Sequence, residues 1–175
     1  MRAIGYRIAG ILALASAAQV QAAQTADKMC ISRSEMRGLV SYVLPSLLDS
    51  TIDKCRSQLD GKSYLIDRAP RLLDTLRSGQ SAAWPDAKKG IAKIGGKTTD
   101  TAMLDVLPEA VTRPLVEAMI AEKFSSEIKP ESCGDINRIM GTLEPLPAAN
   151  MVDLLTETLA IVARKDNKMP ACPAA

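Results

Sequence analysis

Apolar residues recur at three- and four-residue steps along almost the whole chain, and no stretch of strand length alternates with period two, so the pattern predicts helices without a sheet. The clearest run opens at Ser32, which with Glu35 has the S-x-x-E spacing of a capping box. Met36, Leu39, Val40, Val43, Leu44, Leu47, Leu48, Ile52 and Cys55 follow at helical spacing and predict a long central helix with one broad apolar stripe. Pro45 falls inside that helix, where the loss of one backbone donor predicts a kink rather than a reversal of direction.

A second helix is expected from about Ser63 to Arg77, with Leu65, Leu72, Leu73 and Leu76 inward, a distortion at Pro70 and a stop at Ser78-Gly79. A shorter one, Ala82 to Ile94, carries Trp84 at its start and Pro85 in its first turn, and ends at Gly95-Gly96. Asp100 to Phe124 divides at Pro108; its second piece has Pro114 in the first turn and carries Val111, Leu115, Ala118, Met119 and Glu122, with Met119 inward. Ser132 and Asp135 have the spacing of another capping box and open a helix to about Leu143. The last third reads as a helical hairpin: after a bend at Glu144-Pro145-Leu146-Pro147, the last helix, Ala148 to Arg164, would turn Met151, Leu154, Leu155, Thr158, Ile161 and Val162 to the core. The expected fold is all-α, a compact bundle of six or seven helices around a long Pro-kinked central helix.

The first residues have a different character. Arg2 and Arg7 flank the start of an apolar stretch, Ile8 to Ala18, and Val20-Gln21-Ala22 supplies small residues of the kind signal peptidase accepts. Residues 1–23 therefore read as a cleaved secretory signal peptide and 24–175 as a single helical domain. The apolar stretch is shorter than the roughly 20 residues a membrane span needs, so no stable membrane insertion is expected after cleavage. Lys plus Arg number 22 and Asp plus Glu 20; removing Arg2 and Arg7 leaves 20 of each, and a formally neutral mature chain argues against a nucleic-acid partner.

Export changes the meaning of the four cysteines. Cys30, Cys55, Cys133 and Cys172 contain no C-x-x-C pair and predict two structural disulfides, fitting a periplasmic or secreted protein. A helix from Ser32 to Cys55 would hold Cys30 and Cys55 about 35 Å apart, far beyond the roughly 7 Å a bridge spans. The remaining choices are Cys30–Cys172 with Cys55–Cys133, favoured because the tail after Lys165 is long enough to return; the crossed pairs; and a single Cys133–Cys172 bridge with the others free.

Candidate chemistry is mostly excluded. The chain has no histidine, which removes Ser-His-Asp and Cys-His catalysis, imidazole zinc sites and C-x-x-C-H haem attachment. Gly90 to Thr98 imitates the phosphate loop G-x-x-x-x-G-K-[ST], but it holds one residue too many and follows a helical segment instead of a strand. Lys88, Lys89, Lys93 and Lys97 form the one basic cluster and read as a solvated helix face. No catalytic, cofactor-binding or metal-ligating residue is expected. Trp84, beside Pro85, is the candidate ligand contact, with an inter-helix wedge as its alternative role.

These readings point to an exported, non-enzymatic helical binding or interaction protein of a bacterial-type cell envelope, whose partner is an envelope protein or a small apolar ligand held between helices. The alternative is a carboxylate-dependent hydrolase of an envelope polymer, using one or two of Asp60, Asp67, Asp135 and Glu144. Tyr42, Tyr64, Trp84 and Phe124 are the only aromatics after the signal, few for a sugar-binding cleft. An exposed apolar groove would favour binding; two carboxylates facing each other across a cleft would favour the hydrolase.

Overall fold

The structure, a computed structural model, describes residues 30–95, 106–166 and 171–173. The signal segment 1–23 and Lys97 lie outside the described residues. The elements in order are α1 (Arg33–Cys55), α2 (Tyr64–Asp67), α3 (Ala69–Gly95), α4 (Glu109–Glu127), a 3-10 turn at Pro130–Ser132, α5 (Cys133–Leu143) and α6 (Ala148–Asp166). The fold is all-α, with six helices and no strand among the described residues.

The first helix starts as its capping box requires. Glu35 N donates to Ser32 Oγ at 3.3 Å and Ser32 N donates to Glu35 Oε2 at 2.8 Å, so two otherwise orphaned backbone donors are satisfied. Pro45 lies inside α1 without ending it. The expected single apolar stripe is corrected: Met36, Val40, Leu48 and Ile52 are buried, and so are Glu35, Gly38 and Tyr42 on other sides. The helix is central, with α3, α4 and α6 all packed on it, so most of its circumference is covered.

Two expected boundaries move. The Ser63–Arg77 helix is split at Arg68 into α2 and α3, which places Pro70 in the first turn of α3, where its missing N–H is harmless. Ser78-Gly79 does not stop α3, which runs on through Pro85 to Gly95. Continuity comes from packing: Leu73, Leu76, Trp84 and Ala87 are all buried against α1, and Gln80 Nε2 donates to the Tyr42 carbonyl at 2.9 Å. Burial of one helical face outweighs the weak helix preference of Ser and Gly. Gly38 permits this contact, because a Cβ there would lie 2.6 Å from Asp86 Cβ and 3.0 Å from the Ala87 nitrogen.

The outer helices correct two expected faces. In α4, Thr112 and Val116 are buried, while Val111 and Leu115 are exposed, and so is Met119, which was expected inward. In α6, Met151, Val152, Thr156 and Ala163 are buried, and Leu154, Ile161 and Val162 are exposed. Each of these helices has more apolar positions than its contact with α1 can cover, so periodicity alone could not choose the face. The expected second capping box is also absent: Ser132 already has helical backbone angles, its side chain makes no cap hydrogen bond, and Asp135 pairs with Arg138 at 3.3 Å.

Both disulfides form, and in the nested arrangement. Cys30 bonds Cys172 with Cα atoms 5.0 Å apart, and Cys55 bonds Cys133 at 5.4 Å. The returning tail adds a backbone contact beside the first bridge, Cys172 N donating to the Ile31 carbonyl at 3.0 Å. Each end of α1 is thus tied to the C-terminal third, closing loops of 142 and 78 residues. Loops of that length correspond to about 4–5 kcal/mol each in the chain-entropy model.

Candidate functional site: an apolar groove beside the central helix

Chain direction turns by 120° between α5 and α6, so the two helices do not close into an antiparallel pair. The cause lies at both ends. Cys55–Cys133 holds the start of α5 at the end of α1, whereas α6 runs against the first half of α1, with Arg33 paired to Glu157 and Arg37 to Asp153. Between them a wedge opens over the middle of α1, a hollow of about 350 Å3.

Its floor is Val40, Val43, Leu44, Leu47, Leu48 and Thr51 of α1; its walls are Ile136, Met140 and Leu143 of α5 and Met151, Leu154, Leu155 and Leu159 of α6, with Leu76 and Phe124 closing the sides. Among the described residues, no charged one lines it. The one hydroxyl, Thr51 Oγ1, is committed to the Leu47 carbonyl at 2.7 Å. The rim remains in contact with solvent: Phe124 is 37%, Leu154 47% and Leu159 38% exposed. The hollow is thus a contiguous apolar surface open to water.

Trp84 lies elsewhere. It is 1% exposed, on the other side of α1, in a small core with Tyr42, Ala87 and Val116. Its ring meets that of Tyr42 at a centroid distance of 4.8 Å and a tilt of 49°, and the Arg113 guanidinium sits 5.4 Å from its centre. Tyr42 donates from its hydroxyl to Glu117 Oε1 at 2.7 Å; burial, then that hydrogen bond, pushes the phenol pKa far up and keeps it protonated. The Trp84 indole N–H has no hydrogen-bond partner among the described residues. In this position Trp84 is a wedge between α1 and α3 and does not line the groove.

The basic cluster is not one solvated face. Lys93 is largely buried, its Nζ donating to Glu35 Oε2 and to the Cys30 carbonyl, both at 2.7 Å, while Lys89 pairs with Asp86 at 3.1 Å. Burial alone would raise the Glu35 carboxyl pKa; the hydrogen bonds from Lys93 and Ser32, with the Lys93 charge, outweigh it and hold the group below 4.5. The end of α3 is thereby fastened to the start of α1 and to the Cys30–Cys172 bridge. The described part of the phosphate-loop imitation, Gly90 to Gly95, is inside α3, where no loop exists to cradle an anion.

Three of the four carboxylates weighed for hydrolysis have partners. Asp60 accepts from Lys62 N at 2.8 Å, Asp135 pairs with Arg138, and Glu144 meets Arg68 at 2.6 Å. A second hollow, about 480 Å3 between α1, α3 and the start of α6, includes Ser34, Ser41, Thr75 and Asp86. Its charged groups, Arg37 and Asp86, are held by Asp153 and Lys89. No cluster of three His, Cys, Asp or Glu side chains able to hold a metal ion occurs among the described residues.

Most of the groove, Val40, Val43, Leu44, Leu47, Leu48, Leu76, Met151, Leu154 and Leu155 among it, was legible as apolar helix positions, but these read as core. The signal that separates them is the Glu144-Pro145-Leu146-Pro147 connection together with Cys133, since a helix anchored at one end and turned by a proline-rich bend cannot lie along its neighbour. No protein-family model, no curated protein and no solved structure matches this chain.

Proposed function

We propose that the protein is an exported helical binding protein of the cell envelope whose groove holds a small apolar ligand. The observation that carries this reading is the wedge over α1, lined by apolar side chains apart from one internally bonded hydroxyl and rimmed by exposed Phe124, Leu154 and Leu159. Its volume of about 350 Å3 is within the size range of small-molecule sites and is more than twice that of an apolar cavity that accepts benzene, roughly 150 Å3. Periplasmic or secreted location is supported by the signal-like first 23 residues and by the two disulfides, which oxidising compartments maintain.

The test is a titration of the mature, oxidised chain with the neutral fluorophore N-phenyl-1-naphthylamine. Saturable 1:1 binding is expected, weakened at least tenfold by Leu154→Glu, because a carboxylate at the mouth must lose water when the ligand enters. Ile161→Glu, on the same helix but outside the groove, should bind like the wild type. Absence of saturable binding, or equal loss in both variants, would overturn the reading.

A further inference from the structure

The two disulfides are set into the fold differently. Cys55 and Cys133 are 0% and 1% exposed and belong to the core where the end of α1 meets the start of α5. Cys30 and Cys172 are half-buried, and Cys172 lines an open hollow of about 470 Å3 whose other walls come from Ile31 to Met36 and from Glu157, Ala160 and Arg164 of α6. A disulfide is cleaved by a thiolate that reaches one of its sulfurs, so access from solvent separates the two bridges.

The two sides of the outer bridge are also held unequally. Cys30 belongs to a fastened segment: its carbonyl accepts from Lys93 Nζ at 2.7 Å, Ile31 beside it is buried, and the Ser32 and Glu35 capping box follows at once. On the tail, none of residues 171–173 is buried, and the backbone contact beside the bridge is the hydrogen bond from Cys172 N to the Ile31 carbonyl.

We infer that the Cys30–Cys172 bridge is a redox-sensitive strap, which an external dithiol opens in the folded protein to free the C-terminal tail while Cys55–Cys133 stays closed. One thiolate of the dithiol enters from the hollow and attacks the Cys172 sulfur; the S–S bond breaks, its electron pair leaves on the Cys30 sulfur, and that thiolate takes a proton. The second thiol of the reductant then loses its proton and displaces the Cys172 sulfur, closing a cyclic disulfide. One dithiol is oxidised and two cysteine thiols are formed. Release takes away the wall of the hollow made by Ala171, Cys172 and Pro173, and opens the start of α1 to solvent beside Ile31 and Met36. Cys30 stays where Lys93 holds its backbone, so reoxidation needs only the return of the tail. The strap operates whether or not the groove takes a ligand.

The test exposes the mature, oxidised chain to dithiothreitol without denaturant, quenches with iodoacetamide and maps the alkylated cysteines by peptide mass spectrometry. Cys30 and Cys172 should be alkylated together, at least about tenfold faster than Cys55 and Cys133. Chains alkylated at the first pair alone should keep the circular dichroism and the Trp84 emission of the oxidised protein, while hydrogen exchange in the peptide carrying Cys172 rises to the rate of an unstructured chain. Equal rates for the two pairs, or faster reduction of Cys55–Cys133, would overturn the inference, because reduction would then follow opening of the whole bundle. Loss of the fold with the first pair would also overturn it, as would exchange at Cys172 no faster than in the oxidised chain. Cys30→Ser with Cys172→Ser supplies the released state without reductant and should match the singly reduced chain in exchange and emission. If that variant does not fold, the bridge is structural and cannot act as a switch.

Discussion

Two apolar regions flank the same central helix and have been finished in opposite ways. Around Trp84, small residues on the facing helices, Gly38 on α1 and Ala83 and Ala87 on α3, let the backbones approach until one indole and one phenol fill the space between. Along Val40 to Thr51 the facing residues are Leu, Ile, Met and Phe, on helices whose directions diverge by 120°. The groove side is as apolar as the closed side and much larger. What separates a sealed core from an open groove here is the angle at which the helices meet, and that angle is set by a disulfide at one end of α5 and a proline-rich bend at the other.

The comparison breaks most severely if the staple is cut. Replacing Cys55 and Cys133 by serine should cost about 2–5 kcal/mol of stability, and the groove should suffer first because α5 loses its anchor. The chain has one tryptophan, in the sealed region, so its emission reports that region alone. In urea, the serine variant should lose fluorophore binding at a lower concentration than the one at which Trp84 emission shifts. Coincident transitions would mean that the two regions form one cooperative unit and that the staple has no special role in the groove.

Truncation within each region gives the next largest contrast. Trp84→Ala should cost about 3–5 kcal/mol in urea unfolding followed by circular dichroism, since the cavity is enclosed by α1 and α3 and cannot collapse. Trp84→Phe should cost clearly less, because the indole N–H has no partner to lose. Leu154→Ala, at a half-exposed position on the groove rim, should cost less than about 1 kcal/mol. Similar costs for Trp84→Ala and Leu154→Ala would show that the groove is packed shut in solution.

How far the sequence carried these distinctions depends on which force decided each element. The capping box at Ser32 is a local arrangement of four residues, and it forms as the spacing predicts. The disulfide pairing was narrowed by helix length alone, and tail length favoured the nested solution that forms. Ser78-Gly79 misled because a stop signal worth under about 1 kcal/mol competes with burial of Leu76 and Trp84 on either side of it. The faces of α4 and α6 were illegible for a related reason: both helices have apolar residues on more than one side, so periodicity admits several rotations and only the tertiary contact selects one. The groove is a consequence of that surplus and could not be located before the angle between α5 and α6 was known.

A pH dependence should separate the sealed end of the bundle from the open one. Glu35 has a carboxyl held below 4.5, so its contribution is fully present above the unfolded value and disappears as pH falls through the lower folded value. Wild type should therefore lose about 1 kcal/mol more than Glu35→Gln between pH 6 and pH 3, read from the difference in Tm. Fluorophore affinity per folded molecule should not change over that range, since none of the described residues lining the groove is ionisable. Parallel Tm curves for the two proteins would remove Glu35 from the account of acid sensitivity.

The smallest expected effect is the most specific to the groove. Thr51→Val removes the single hydroxyl in the lining, and that hydroxyl donates to the Leu47 carbonyl one turn back on its own helix. Such a bond adds little to a helix that already satisfies the carbonyl, and valine keeps the side-chain shape, so stability should change by less than about 1 kcal/mol in either direction. Fluorophore affinity should stay within about twofold or improve slightly, because no hydroxyl is left in the lining. A fivefold or greater loss in the fluorophore titration would show that the hydroxyl leaves Leu47 to meet the ligand, and the groove would then have a polar recognition point after all.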